Sequence, residues 1–203
     1  AKSFWVVQYY SSSEELCKTF AKEWEKLPEL VFGAARVGAV DCDAQRELCE
    51  AHGVDLSALP VIRVVTGGPK AYHEYPGELA AESLQNFVAQ VVRQAAPGRV
   101  RPVLSEEDVA RVMDEVDEIA EWDALVLLVN NKTLTPPMYV SLAQQFKGKL
   151  VMGELKLSSV WFHELAWQYR AEGDLPTVVV MCGRAPEAPI MFDGDDKGRD
   201  SLE

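Results

Sequence analysis

The chain has 203 residues, 48% of them hydrophobic, which is enough for one or two packed domains. A formal net charge of -12 speaks against a nucleic-acid or anionic-membrane surface, since each calls for a basic stripe. The longest wholly apolar runs, such as Ala124 to Val129, fall far short of the ~20 residues that cross a bilayer.

No leader-like stretch is visible, and the chain opens almost inside a strand, so it reads as a piece of something longer. Phe4 to Tyr10 is the first hydrophobic strand. It runs through Ser11, Ser12 and Ser13 into a helix with Leu16, Phe20 and Trp24 at steps of four. Ser12 or Ser13 is placed to accept hydrogen bonds from the free amides of the first helical turn. Glu14 and Glu15 stand where the positive end of the helix dipole favours carboxylates. Pro28 ends this run, and Val31 to Val40 reads as a second strand in which Gly38 allows close backbone approach. Asp41-Cys42-Asp43 offers a cap for a short helix through Ala51, which a glycine C-cap stops at His52-Gly53. After Leu59-Pro60 come a strand (Val61 to Val65), a Gly67-Gly68-Pro69 turn and a short strand around Ala71 to Tyr75. An amphipathic helix closes this half from about Ala80 to Gln94, with Leu84, Phe87, Val88 and Val91 on one face.

Ala95 to Gly98 reads as a linker. A strand near Val100 to Leu104 follows, then Ser105-Glu106-Glu107-Asp108 as the cap of a helix carrying Val109, Val112, Met113, Val116 and Ile119. Ala124 to Val129 is a buried strand, and a polar turn leads from it to a helix over Pro137 to Phe146. A strand at Leu150 to Leu155, a helix at Val160 to Tyr169, a strand from Thr177 through Met181 and a last strand at Ala188 to Phe192 complete the series. The order of elements repeats. Val7 matches Leu127, Gly38 matches Gly153, Pro60 matches Pro176 and Gly77 matches Gly194 at an offset of roughly 115 to 120 positions, as two copies of one supersecondary unit would.

The stretch FWVVQYYSSSEELCKTFAKEW resembles the thioredoxin fold of protein disulfide isomerases, whose pattern is an aromatic strand, Ala-Pro-Trp-Cys-x-x-Cys-Lys and Pro-Glu-Trp-Glu. Cys17-Lys18 falls on the second motif cysteine and its lysine, Glu23-Trp24-Glu25-Lys26 on the helix beyond, and Glu14 on the first cysteine. That cysteine is the nucleophile, whose pKa a helix N-terminus lowers; a carboxylate there cannot attack a disulfide. The resemblance therefore implies an α/β fold of two tandem thioredoxin-like domains, each a central mixed sheet flanked by helices. The first, 1-96, carries a degenerate motif (Glu14, Cys17), and its usual first strand and helix lie upstream of residue 1 or are absent. The second, 99-203, has no cysteine motif and loses its final helix.

The same resemblance implies cis-prolines at Leu59-Pro60 and Leu175-Pro176, each exposing the preceding backbone to an extended peptide. It also implies a disulfide between Cys42 and Cys49, flanked by residues much like those of endoplasmic-reticulum isomerase domains; two free thiols are the alternative. Cys17 alone reads as a small buried hydrophobe, with a residual redox cysteine as the alternative. Asn131-Lys132-Thr133 is a glycosylation triplet in the polar turn that takes the motif position of the second domain. Asp193 to Gly198 has Lys197 at a ligand position of a calcium loop and reads as an acidic turn. His52, His73 and His163 are too scattered for a zinc site, and Trp161, Trp167 and Tyr169 read as core.

The implied function is a non-catalytic binding module of a folding factor in the endoplasmic-reticulum lumen, of the isomerase or thioredoxin-containing J-domain co-chaperone type. Its partners would be unfolded or misfolded clients and other chaperones, with no cofactor, metal or nucleic acid and no membrane insertion. The alternatives are a thiol-disulfide oxidoreductase acting through Cys17 and a calsequestrin-like calcium buffer.

Overall fold

The computed structural model describes residues 3-68, 70-119, 124-156, 175-182 and 190-191. The chain divides into two compact units, Ala1–Pro97 with Pro136–Gln145 and Gly98–Thr135 with Phe146–Glu203.

In the first unit, β1 (Trp5–Tyr10) pairs in parallel with β2 (Arg36–Asp41) and antiparallel with β3 (Val61–Val65), and β3 pairs antiparallel with β4 (Tyr72–Glu74). The sheet order is β2-β1-β3-β4. Alternation along β1 sends Val6 and Gln8 to one face and Trp5, Val7 and Tyr9 to the other. Helix α1 (Glu15–Trp24) buries Cys17 and Phe20, and the Trp24 ring lies 6.0 Å from that of Phe20. The buried stripe thus starts at Cys17; Leu16, expected on it, is 53% exposed. Pro28 does not end the helical run. It sits in the first turn of α2 (Leu27–Leu30), where its missing amide hydrogen is not needed. The second strand accordingly begins at Arg36 rather than Val31, because Val31 to Ala34 form turns with Val31 and Ala34 buried.

Helix α3 (Arg46–Ala51) ends in a Schellman closure: Gly53, at φ +63, donates its amide to the Glu50 carbonyl and Val54 donates to that of Cys49. Helix α4 (Ala81–Ala95) buries Leu84, Val88, Val91 and Val92. A remote acid caps its start, since the Ala81 amide donates to Glu23 Oε2 at 3.1 Å, and Gln85 Nε2 donates to the Leu30 carbonyl at 2.8 Å. Lys26 and then the Ala81 amide hold the Glu23 carboxyl below its ordinary range.

The second unit contains β5 (Val100–Val103), α5 (Glu106–Ile119), β6 (Ala124–Asn130), β7 (Val151–Lys156), β8 (Thr177–Cys182) and β9 (Ile190–Met191), with sheet order β5-β7-β6-β8-β9. Its β6 repeats the pairing of β1: Leu127 stands opposite Gly153 in parallel β7 and Val179 in antiparallel β8, as Val7 stands opposite Gly38 and Arg63. Val109, Val112 and Val116 of α5 join Leu125, Leu127, Val151, Val179 and Met181 in one core. Ser105 and Asp108 cap α5 reciprocally: the Asp108 amide donates to Ser105 Oγ at 3.2 Å and the Leu104 amide to Asp108 Oδ2 at 2.9 Å. Helix α6 (Pro137–Gln145) follows β6 in the chain and groups with the first unit.

Candidate functional site at the mouth of helix α1

Glu14 is the N-cap residue of α1, in extended conformation (φ -77, ψ 127) and exposed to solvent. Its carbonyl accepts the Lys18 amide at 3.2 Å, and no side chain caps this helix. The serines do not accept from the first helical turn as expected. Asp43, on the turn after β2, reaches across instead: its Oδ2 accepts from Ser11 Oγ at 2.8 Å, the Ser12 amide at 3.0 Å and Ser12 Oγ at 3.1 Å. The Ser11 hydroxyl is the foremost of several donors that hold the Asp43 carboxyl below the usual range. Nor does Asp43 cap α3, whose N-cap residue is Gln45; Asp41 Oδ1 shapes that turn by accepting the Asp43 amide at 2.9 Å.

Beneath this turn lies Cys17, 5% exposed, in a cluster with Tyr9, Cys42, Cys49, Val54, Leu59 and Val61. Burial pushes the Cys17 thiol above its ordinary pKa; a backbone hydrogen bond at Ser11 opposes this, and the charges of Glu14 and Asp43 add to it. The thiol is therefore protonated at neutral pH, the reverse of what a nucleophilic motif requires. Cys42 and Cys49 are joined by a disulfide across a Cα separation of 5.9 Å, both buried. Cys182, at the end of β8, is free and exposed.

The Leu59-Pro60 bond is cis and leads directly into β3, with buried Leu59 in the same cluster as Cys17. Leu175-Pro176 is also cis and leads into β8; Pro176 is exposed and Leu175 packs on the core of its unit. The structure thus brings Glu14, Cys17, the disulfide and Leu59-Pro60 together in one unit. Asn131 lies exposed in the other, in the turn after β6. His163, Trp161, Trp167, Tyr169, Asp193 to Gly198 and the helix expected at Val160 to Tyr169 lie outside the described residues.

Two buried charges escaped the sequence reading. Arg63 donates to the His52 carbonyl at 2.7 Å, the Gly53 carbonyl at 3.0 Å and Glu74 Oε2 at 3.0 Å. Its guanidinium lies 4.2 Å from the Tyr72 ring centroid and 5.5 Å from that of Tyr9, whose hydroxyl bonds His52 Nδ1 at 3.0 Å. Arg63 thereby fastens the end of α3 to the sheet, beside a groove of about 370 Å³ lined by Trp5, Val7, Val65 and Tyr72 among others. Glu154, 5% exposed on β7, accepts from Asn130 Nδ2 at 2.6 Å and Thr135 Oγ1 at 2.7 Å, with Lys156 Nζ at 3.5 Å. It clasps both ends of the turn after β6. A lone charge inside an apolar run, as in VIRVV or VMGEL, is the signal that marks each.

Residues 1-90 match the Thioredoxin family. Among curated proteins, a putative protein disulfide-isomerase of Dictyostelium discoideum is 23% identical over 195 residues, which is 94% of this chain and 44% of that protein. DnaJ homolog subfamily C member 10 of Homo sapiens is 35% identical over 91 residues, 44% of this chain and 11% of that protein. Protein disulfide isomerase-like 2-3 of Oryza sativa subsp. japonica is 30% identical over 101 residues, 49% of this chain and 22% of that protein. The chain thus spans less than half the length of each of these relatives. Among solved structures, the crystal structure of ERdj5 form II aligns with a TM-score of 0.65 over 95% of this chain and 25% of that one, at 20% identity.

The fold is that of two tandem thioredoxin-like domains, as the motif resemblance implied. In sequence the chain is similar to a protein disulfide isomerase over 94% of its length and to DnaJ homolog subfamily C member 10 over 44% of it.

Proposed function

We propose that this chain is a redox-silent module that holds extended, unfolded polypeptide within a folding factor of the endoplasmic-reticulum lumen. One observation carries the reading: an exposed carboxylate, Glu14, occupies the helix mouth, and the only thiol beneath it among the described residues, Cys17, is buried and held protonated. Disulfide exchange needs an accessible thiolate attacking one sulfur and releasing the other. Here neither residue supplies it. Cys42 and Cys49 are bonded to each other inside the core, which supports a structural bridge over a catalytic pair. What the family pattern uses to dock peptide, the chain segment at the proline before the third strand, is present at Leu59-Pro60 beside Cys17 and again at Leu175-Pro176. The isomerase and DnaJ-homolog relatives support a folding-factor parent, with unfolded or misfolded clients and other chaperones as partners. A disulfide-bonded core supports an oxidising compartment.

Two measurements test this together. The intact chain should give no insulin reduction above background, and a photo-crosslinking residue at Glu14 should capture a denatured, alkylated polypeptide that one at Glu82, exposed on α4, does not. Turnover that disappears in Cys17→Ala would establish the oxidoreductase instead, and equal capture at both positions would remove the docking site.

A further inference from the structure

We propose that Asn131 is an N-glycan acceptor, which places a carbohydrate over the motif turn of the second unit. Two asparagines stand side by side at the end of β6, and the structure separates their roles. Asn130 is fully buried: its Nδ2 donates to Glu154 and its Oδ1 accepts the Lys132 amide at 2.7 Å. Its carboxamide is committed to the fold. Asn131 is exposed, as are Lys132, Thr133 and Leu134, and its carboxamide makes no hydrogen bond among the described residues.

The turn that presents Asn131 is nevertheless fixed. Glu154 holds it through Asn130 and Thr135, and Lys156 Nζ donates to the Thr133 carbonyl at 2.6 Å. None of these bonds uses Asn131, so a bulky substituent on its nitrogen breaks nothing. Asn131-Lys132-Thr133 is the one triplet of acceptor type in the chain, and its middle residue is not proline.

The donor is a lipid-pyrophosphate-linked oligosaccharide. Asn131 Nδ2 attacks the anomeric carbon, a carbon-nitrogen bond replaces the carbon-oxygen bond to phosphate, the lipid pyrophosphate departs, and one amide proton is released, with no change of oxidation state. Asn131 is the first residue beyond β6, as Ser11 is the first beyond β1. The sugar therefore stands where the first unit has its Asp43-bound serine turn. The inference rests on the compartment proposed above.

The test expresses the full chain behind a secretion signal in a eukaryotic cell and reads its mobility before and after peptide N-glycosidase. Wild type and Thr133→Ser should show one discrete shift that the enzyme removes; Asn131→Gln and Thr133→Ala should lack it, with Asn131→Gln keeping the wild-type thermal midpoint. A folded, secreted wild-type chain with no shift overturns the inference. A shift here together with a bare Asn131 in the parent protein from its own cells overturns the proposed compartment while leaving Asn131 an acceptor.

Discussion

The two sheets share a ladder and part company over where they put charge. Val7 and Leu127 occupy the same node, each opposite a glycine on the parallel neighbour, yet across the antiparallel neighbour one meets Arg63 and the other Val179. In the second unit the corresponding face is closed by α5 with apolar side chains. In the first, β2 is the edge strand and none of its residues is buried, whereas five of the six residues of β7, flanked on both sides, are. An arginine is tolerated at that node because its donors are matched by two carbonyls and a carboxylate and its flat faces by aromatic rings. The turns differ in the same sense. Asp43 gathers the serine turn from solvent, and Glu154 clasps the equivalent turn from inside. The same geometric task thus carries very different energetic stakes in the two units.

The sharpest way to break this contrast is Arg63→Met. It leaves the carbonyls of His52 and Gly53 without their donor and frees the end of α3, for an expected loss of about 4 kcal/mol. Hydrogen exchange should show the loss in β1 and β3 while β6 and β7 keep their protection; loss spread equally over both units would deny that Arg63 acts locally. Glu154→Ala should do the reverse at about 3 kcal/mol, exposing the amides of the turn after β6. Glu154→Gln should recover part of it by still accepting from Asn130. Smaller again is the double change Cys42→Ala with Cys49→Ala, expected to destabilise the first unit by about 2 kcal/mol, because the bridge closes a short loop. An unchanged midpoint there would mean that Arg63 alone secures α3.

Local chemistry was legible in the sequence and remote chemistry was not. The α5 cap is built from Ser105 and Asp108, three residues apart, and the pattern announces it. The start of α4 is capped by Glu23, and the serine turn by Asp43, partners 58 and 31 or 32 residues away that no window of sequence connects. For the same reason Val31 looked like strand: its run of apolar neighbours fits either period, and only packing decided for a helix end. At the site, the motif pattern placed Glu14 over Cys17 and the prolines at their strands. The buried Arg63 and Glu154 were visible only as odd letters until their partners stood beside them.

The least effect at neutral pH is expected of Cys17→Ala, and its value lies in pH dependence. Losing a small buried side chain should cost about 1 kcal/mol, with no change in any redox assay. Because burial raises the thiol pKa above its ordinary 9.0, the folded state holds this proton more tightly than the unfolded chain does. The resulting stabilisation is complete below pH 9.0 and drains away as pH climbs through the folded value. Wild type should therefore lose stability from about pH 9 upward faster than Cys17→Ala does, narrowing the gap between them. Tyr9, raised from 10.0 chiefly by burial, supplies a later alkaline decline that both proteins keep. Parallel curves for the two proteins above pH 9 would mean that the Cys17 thiol ionises as freely as in the unfolded chain. That would return to it the thiolate that Glu14 and the buried cluster otherwise deny it.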